Sequence, residues 1–228
     1  MKRVERVGEA VAPDGSRLVL YRHGRDYAIS VDGQELMSTR RHGSEDMLAD
    51  LVCAPLREHA GAHVLIGGLG LGFTLRAALR SLAPDARVVV AEIVDEVIRW
   101  NRNPEYALAA DALRDPRVDL RHDDVANVLS ANPGVFDAIM LDVDNGAAAL
   151  TTQGNATLYR ARGIRLAAAA LRPGGRLAYW SAAEEPAFAT ALRRAGLSVE
   201  VVRARAHPGL RVWHSILVAR RPGAAAGE

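Results

Sequence analysis

The segment Val64-Leu-Ile-Gly-Gly-Leu-Gly-Leu-Gly-Phe73, followed by Ala91-Glu-Ile93, indicates how this chain folds. The apolar run at 63–67 is typical of a strand buried in a parallel sheet. Glycines allow the backbone that follows to turn sharply and to approach a ligand closely. The loop contains three of them at alternate positions: Gly68, Gly70 and Gly72.

A helix and a second strand follow the glycine loop in the predicted order. Residues 73–83 have a helical pattern, and the apolar segment at 87–92 predicts a second buried strand. Glu92 ends this strand, twenty positions beyond Gly72, and Ile93 follows it. A carboxylate there can accept hydrogen bonds from both hydroxyls of a ribose. The pattern therefore predicts that Glu92 and Ile93 bind a nucleoside together with the glycine loop.

The spacing of the glycines indicates which nucleoside is bound. Dinucleotide-binding loops follow G-x-G-x-x-G, whereas this loop reads G-x-G-x-G, with Phe73 where the third glycine of that fingerprint would fall. The spacing counts against NAD and favours a nucleoside without phosphates, such as S-adenosylmethionine.

Composition excludes several classes of function. The chain has 228 residues, 49% of them hydrophobic, and a net charge of +2, which suits one main domain with a small accessory element. Its arginines are scattered, so binding to nucleic acid is not indicated. Lys2 is the only lysine, and the sequence therefore has neither a Walker loop nor an internal lysine for a Schiff base.

The cysteine and histidine residues and the lack of a long apolar run predict the compartment and count against a metal site. One cysteine, Cys53, cannot form an intramolecular disulfide, and a buried thiol suits a reducing compartment. The sequence has no signal peptide and no apolar run of about 18 residues, so we expect a cytoplasmic protein that does not enter a membrane. The seven histidines lack the spacing of metal ligands.

Three segments are predicted: a small β-hairpin domain at 1–42, a Rossmann-like nucleoside-binding catalytic domain at 43–220, and a flexible tail at 221–228. Strands and helices alternate in the second segment, which predicts an α/β fold with a doubly wound seven-stranded sheet. The last two strands are expected to be antiparallel, because no helix joins them. Strands are predicted at 63–67, 87–92, 117–121, 136–142, 175–181, 197–204 and 212–219. Helices are predicted at 73–83, 94–101, 124–131, 156–171 and 185–195.

Acidic residues end the strands of the predicted sheet, at the edge where open α/β folds bind ligands. We expect Asp124 to accept a hydrogen bond from the adenine amino group, with Val125 packing on the base. Asp142 follows the fourth strand and is the candidate to orient or deprotonate a nucleophile. Asp144 begins a long connection at 143–155, whose length is typical of a functional loop.

With these residues placed, the sequence resembles the spermidine synthase family, a branch of the class I methyltransferase fold. The resemblance covers most of the chain, and its most specific parts are the N-terminal hairpins and Phe136-Asp-Ala-Ile-Met-Leu-Asp142. It implies transfer of an aminopropyl group from decarboxylated S-adenosylmethionine to a small amine, with methylthioadenosine as the second product. It also implies a homodimer assembled through the N-terminal region.

The chain departs from the family at three positions. Gly70 stands where the family has the aspartate that binds the donor amine. The family's second acid after the fourth strand is Asn145 here, and Asp144 is the candidate to supply that charge. The family's Tyr-His-Glu has no counterpart, because Gly43-Ser-Glu-Asp46 stands in its place.

These departures leave three hypotheses open. The first is aminopropyl transfer from decarboxylated S-adenosylmethionine, with Asp142 and Asp144 as catalytic residues. The second is methyl transfer from intact S-adenosylmethionine, which Gly70 and the glycine spacing favour. The third is a nucleoside-binding protein without catalysis, which the missing Tyr-His-Glu favours. None of them requires a metal.

Overall fold

The computed structural model describes residues 4–106, 108–143, 157–205, 207 and 212–223. Four strands come first: β1 (Val4–Val11), β2 (Arg17–His23), β3 (Asp26–Val31) and β4 (Gln34–Ser38). They form an antiparallel sheet in the order β1-β2-β3-β4. The predicted N-terminal hairpins are therefore confirmed.

Helices and strands alternate after this sheet. The helices are α1 (Gly43–Cys53), α2 (Phe73–Ser81), α3 (Asp95–Arg102), α4 (Val125–Ala131), α5 (Ala161–Ala170) and α6 (Pro186–Arg194). The strands are β5 (His63–Gly67), β6 (Arg87–Glu92), β7 (Val118–His122), β8 (Phe136–Leu141), β9 (Leu171–Ser181), β10 (Ser198–Arg205) and β11 (Trp213–Arg220).

The second set of strands forms one seven-stranded sheet in the order β10-β11-β9-β8-β5-β6-β7. β5 lies at its centre and pairs in parallel with β6 and with β8. β11 pairs antiparallel with both β10 and β9. The predicted α/β class, the seven strands and the antiparallel final pair are confirmed.

The central strands carry apolar residues on both faces because helices cover both sides of the sheet. Every residue of β8 is buried, and Leu65 and Ile66 of β5 are fully buried. These strands hold the loops at their carboxyl ends in fixed positions, which is what a binding site at that edge requires.

The N-terminal sheet packs against the main domain through aromatic side chains. The Tyr106 hydroxyl donates to the Val7 carbonyl at 3.0 Å, and the rings of Tyr27 and Tyr106 are 5.8 Å apart. A Cβ at Gly8 would lie 2.5 Å from Trp100 Nε1, so the glycine allows β1 to approach α3 closely. The sheet is thereby held beside the carboxyl edge of the central strands.

One predicted strand begins earlier than its sequence suggests. The sequence predicts a helix to 171 and a strand from 175, but α5 ends at Ala170 and β9 already begins at Leu171. Its pairing with β8 shifts register between Phe136 and Ala138, and Gly174 has a φ of +81°. The strand therefore accommodates the Pro-Gly-Gly segment as an irregularity in its ladder.

Within the described ranges, no helix is long and apolar enough to cross a membrane. At the start of the predicted tail, the Arg221 backbone N–H donates to the Gly175 carbonyl at 2.9 Å. Residues 224–228 of that tail lie outside the described residues.

Candidate functional site

The glycine loop has a backbone that only glycine adopts readily. Gly68, Gly70 and Gly72 have φ values of +86°, +51° and +79°. The Gly68 N–H donates to the Ala91 carbonyl at 2.9 Å, and a Cβ on Gly68 would lie 2.6 Å from the Asp142 carbonyl oxygen. The loop therefore lies directly against the ends of β6 and β8.

Glu92 connects the end of β6 to this loop. Its Oε2 accepts the Leu69 N–H and its Oε1 accepts the Val94 N–H, both at 2.9 Å. Burial raises the pKa of Glu92, and these backbone N–H groups oppose the increase by stabilising the charged form. Each oxygen keeps a second lone pair, so the carboxylate can still accept from a ribose hydroxyl.

Asp124 caps helix α4. Its Oδ1 accepts the Ala126 N–H at 2.8 Å, which satisfies one of the free N–H groups at the start of the helix. The Asp124 N–H itself donates to Asp123 Oδ1 at 2.8 Å. These bonds hold Asp124 and the adjacent Val125 at the end of β7.

Asp142 follows β8 and contacts helix α2. The Thr74 hydroxyl donates to Asp142 Oδ2 at 3.0 Å. Burial raises the pKa of Asp142 to about 6, and the Thr74 hydrogen bond opposes that increase. The carboxyl is therefore ionised at neutral pH with a pKa closer to neutrality than usual, as suits a general base. Asp144, the other predicted catalytic residue, lies outside the described residues.

These predicted residues surround one cavity of about 150 Å³. It lies between the carboxyl edge of the central sheet and the N-terminal sheet. Predicted residues in its lining are Gly68, Gly70, Glu92, Ile93, Asp124, Val125 and Asp142. Gly72 is outside the lining, and a Cβ there would lie 2.3 Å from Ala109 Cβ, so this glycine allows close packing behind the loop.

The N-terminal sheet supplies the opposite wall of the cavity, which sequence reasoning missed. The turn between β1 and β2 contributes Ala12, Asp14 and Ser16, and β4 contributes Met37. A Cβ on Gly70 would lie 2.8 Å from Met37 Sδ, so the methionine fills the space above this glycine. No sequence motif marks these residues, because their position depends on how the two sheets pack.

The cavity is strongly acidic. The described lining contains no lysine, arginine or histidine. It contains five carboxyl groups, those of Asp14, Glu92, Asp123, Asp124 and Asp142. The described residues also contain no group of three or more His, Cys, Asp or Glu side chains arranged to hold a metal ion. The charge of the described lining therefore favours a cationic ligand.

A further carboxyl lies near Asp142 and was also missed. Glu45, in the first turn of α1, is buried with 8% of its surface exposed. Burial, and after it the negative charge of Asp142, raise the pKa of Glu45 to about 8. A glutamate in the first turn of a helix is usually solvated, so no local sequence feature indicates that Glu45 is buried.

Comparison with known proteins gives relatives of one kind. No protein-family model matches the chain. The polyamine aminopropyltransferase of Leptospira biflexa is 28% identical over 151 residues, which are 65% of this chain and 50% of that protein. Polyamine aminopropyltransferase 2 of Pseudomonas aeruginosa is 34% identical over 116 residues, 49% of this chain and 31% of that one. The matches thus span half or less of these relatives' length.

Solved structures share the fold. A spermidine synthase in complex with the transition state analogue AdoDATO superposes with a TM-score of 0.76 and 19% identity, over 96% of this chain and 75% of that one. The spermidine synthase of Thermotoga maritima has a TM-score of 0.74 and 17% identity, over 96% and 74% of the two chains. The chain is thus similar in sequence to polyamine aminopropyltransferases and shares its fold with spermidine synthases.

Proposed function

We propose that the protein transfers the aminopropyl group of decarboxylated S-adenosylmethionine to a small amine. The acidic cavity carries this proposal. The donor has a sulfonium and an ammonium group at neutral pH and no carboxylate, so the described lining complements both of its charges. The similarity to polyamine aminopropyltransferases supports the same reaction.

Intact S-adenosylmethionine suits this lining less well. Its carboxylate would enter a cavity in which the described ionisable side chains are all acidic. Like charges brought together at a binding site oppose binding, and the repulsion grows as water is excluded. The described lining therefore selects against a donor that keeps its carboxylate.

The predicted residues have consistent roles in this reaction. Glu92 accepts from the ribose hydroxyls beside Ile93, while Asp124 accepts from the adenine amino group and Val125 packs against the base. Gly68 and Gly70 let the backbone approach the nucleoside. Asp142 faces the acceptor side, and Asp144 remains a proposed source of a second negative charge there.

The reaction is a displacement at the carbon attached to sulfur. The acceptor arrives as an ammonium, since amines have a pKa of about 10, and must lose one proton before its lone pair can attack. Asp142 accepts that proton. The nitrogen–carbon bond forms as the carbon–sulfur bond breaks, and the bonding pair stays on sulfur, giving neutral methylthioadenosine. Correct alignment contributes several kcal/mol, about 7 or more in favourable cases.

One observation favours methyl transfer as a second candidate. Met37 fills the space above Gly70, where the family has an aspartate that binds the donor's amine. Without that aspartate, the described loop has no side-chain anchor for an aminopropyl ammonium at this position. Methyl transfer from S-adenosylmethionine would not need such an anchor.

Identification of the nucleoside product tests these alternatives. The protein is incubated with each donor and a panel of diamines and polyamines, and products are identified by mass spectrometry. Methylthioadenosine formed only with an acceptor supports aminopropyl transfer. S-adenosylhomocysteine formed from intact S-adenosylmethionine would instead support methyl transfer. Binding of either nucleoside without turnover, across the panel, would favour a noncatalytic nucleoside-binding protein.

Location and assembly complete the proposal. The composition of the chain supports a cytoplasmic protein that acts without a metal and without nucleic acid or membrane partners. The resemblance to the spermidine synthase family supports a homodimer. Cell fractionation tests the location and analytical ultracentrifugation tests the dimer. A monomer at micromolar concentration would remove the dimer from the proposal.

A further inference from the structure

One side chain of the N-terminal sheet reaches across the cavity to the glycine loop. Met37, on β4, lines the cavity, and a Cβ on Gly70 would lie 2.8 Å from both its Sδ and its Cε. The end of the methionine side chain therefore rests on the backbone of Gly70. Because Met37 is half-buried and lines the cavity, part of its surface is left for contact with a ligand.

Strand β4 contains a β-bulge beside Met37. In the pairing of β3 with β4, Ile29 lies opposite Met37. The next pair joins Ser30 to Glu35, which leaves Leu36 as an extra residue on β4. Adjacent residues of a regular strand face opposite sides of the sheet, yet Leu36 and Met37 both line the cavity. The bulge therefore places two apolar side chains next to each other on the face that covers the glycine loop.

Gly70 is held in place from its other side. Its carbonyl oxygen accepts a hydrogen bond from Asn101 Nδ2 at 2.7 Å, and Asn101, on α3, is fully buried. The φ of Gly70 is +51°, a value that residues with a side chain rarely adopt. The loop is therefore a fixed floor of the cavity, and the Met37 side chain sets how much space remains above it.

From this arrangement we propose that Met37 determines which donor the cavity accepts, by excluding a chain on sulfur that carries a carboxylate. The inference rests on the proposed aminopropyl transfer, in which the donor lies between Glu92 and Asp142. The glycine loop joins these two positions, because the Leu69 N–H donates to Glu92 and Gly68 packs against the Asp142 carbonyl. The donor's sulfur and its chain therefore lie beside the loop and next to Met37.

Size and polarity of the methionine act in the same direction. The chain of decarboxylated S-adenosylmethionine ends in a CH₂ that carries the ammonium, whereas in the intact donor this carbon also carries a carboxylate. A carboxylate against the Met37 thioether would lose water without gaining a hydrogen bond, which is costly. The methylenes of an aminopropyl chain can pack on the same surface. Met37 thus leaves no anchor for an ammonium at Gly70, and it also leaves no room there for a carboxylate.

Met37→Ala and Met37→Leu test this role, and Met47→Ala, at an exposed methionine on α1, is the matched control. Dissociation constants for intact and decarboxylated S-adenosylmethionine are measured for each variant by calorimetry. We expect the ratio of the intact to the decarboxylated value to fall at least about fivefold in Met37→Ala, because space and water become available for the carboxylate. Met37→Leu keeps an apolar side chain of similar volume and should retain the parent's ratio, as should the control.

The contact between Met37 and Gly70 is tested without a ligand. Gly70→Ala is made in the parent and in Met37→Ala, and thermal unfolding is followed for all four proteins. The backbone strain of the new alanine is the same in both backgrounds, but its Cβ meets the methionine only in the parent. We therefore expect Gly70→Ala to lower Tm more in the parent than in Met37→Ala. Equal losses would show that the methionine does not rest on the loop.

The outcomes separate the role of Met37 from the proposed function. An unchanged ratio of the two donor affinities in Met37→Ala, or the same change in Met47→Ala, would overturn the role of Met37. If the parent forms no methylthioadenosine with any acceptor, the proposed function fails, while the affinity ratios still decide whether Met37 excludes the carboxylate. A parent that binds neither donor would reject both.

Discussion

Glu92 Oε2 accepts the backbone N–H of Leu69 at 2.9 Å, so the carboxylate at the end of β6 holds the glycine loop against the cavity. Its other oxygen accepts the Val94 N–H at the same distance. The residue predicted to bind a ribose is thus also a structural part of the loop. Substitutions of Glu92 should therefore affect stability as well as binding.

Glu92→Gln should show both effects. Its amide group can place only one oxygen toward the two backbone donors, and its NH₂ then faces the other N–H. We expect a loss of about 1 to 3 kcal/mol in the free energy of unfolding and at least about a tenfold weaker affinity for methylthioadenosine. Urea denaturation and calorimetry measure these quantities. Glu58→Gln, at an exposed glutamate, is the control. An affinity equal to the parent's would remove Glu92 from the nucleoside site.

Asp142→Asn should separate catalysis from donor binding. Asparagine keeps the size of the side chain and can still accept from Thr74, but it cannot take a proton from an amine. We expect turnover to fall by about a hundredfold or more while methylthioadenosine affinity is nearly unchanged. In the parent, kcat/KM should fall as the pH drops through about 6, because Asp142 becomes protonated there. A variant as active as the parent would contradict the role of Asp142 as base.

Glu45→Gln should stabilise the fold more at high pH than at low pH. The folded pKa of Glu45 is raised from 4.5 to about 8 by burial and by Asp142, so the folded state holds more protons than the unfolded state in that interval. This carboxyl therefore lowers stability as the pH rises from about 4.5 to 8. The gain of the variant over the parent should be larger at pH 9 than at pH 5 by about 1 to 3 kcal/mol. Equal differences at the two pH values would show that Glu45 is not buried as described.

Gly68→Ala should be more harmful than the same change at Gly134. Both glycines have a positive φ, of +86° and +67°, but a Cβ at 134 would meet no atom within 4 Å. A Cβ at 68 would lie 2.6 Å from the Asp142 carbonyl oxygen. Backbone strain of about 1 kcal/mol is common to both variants. The additional loss in the free energy of unfolding of Gly68→Ala therefore measures how closely the loop approaches the end of β8. Equal losses in thermal unfolding would show that the loop does not need this approach.

The features predicted correctly are those that local sequence constrains. Buried strands need uninterrupted apolar runs, and a turn with positive φ needs glycine, so β5, β6 and the glycine loop could be predicted closely. The rule that ligands bind at the carboxyl ends of parallel strands selected Glu92, Asp124 and Asp142, which line the same cavity, while their roles in binding and catalysis stay predictions. The start of β9 could not be predicted, since Pro-Gly-Gly usually ends a helix and here lies within an irregular ladder.

The features that were missed depend on packing between distant segments. Glu45 is buried because α1 packs against β8 and β9, and Ser44-Glu45-Asp46 by itself is typical only of a helix start. Met37 and the turn containing Asp14 reach the cavity because the N-terminal sheet packs beside α3. These contacts join residues far apart in the chain, and no short motif records them.

The relative affinity for the two donors shows whether the cavity selects an aminopropyl donor. Dissociation constants for decarboxylated and intact S-adenosylmethionine are measured by calorimetry on the same protein, at pH 7.5 and low ionic strength. Because the described cavity lining is acidic and contains no cationic side chain, we predict that the decarboxylated donor binds at least about tenfold more tightly. Equal affinity, or tighter binding of intact S-adenosylmethionine, would contradict selection of an aminopropyl donor by this cavity.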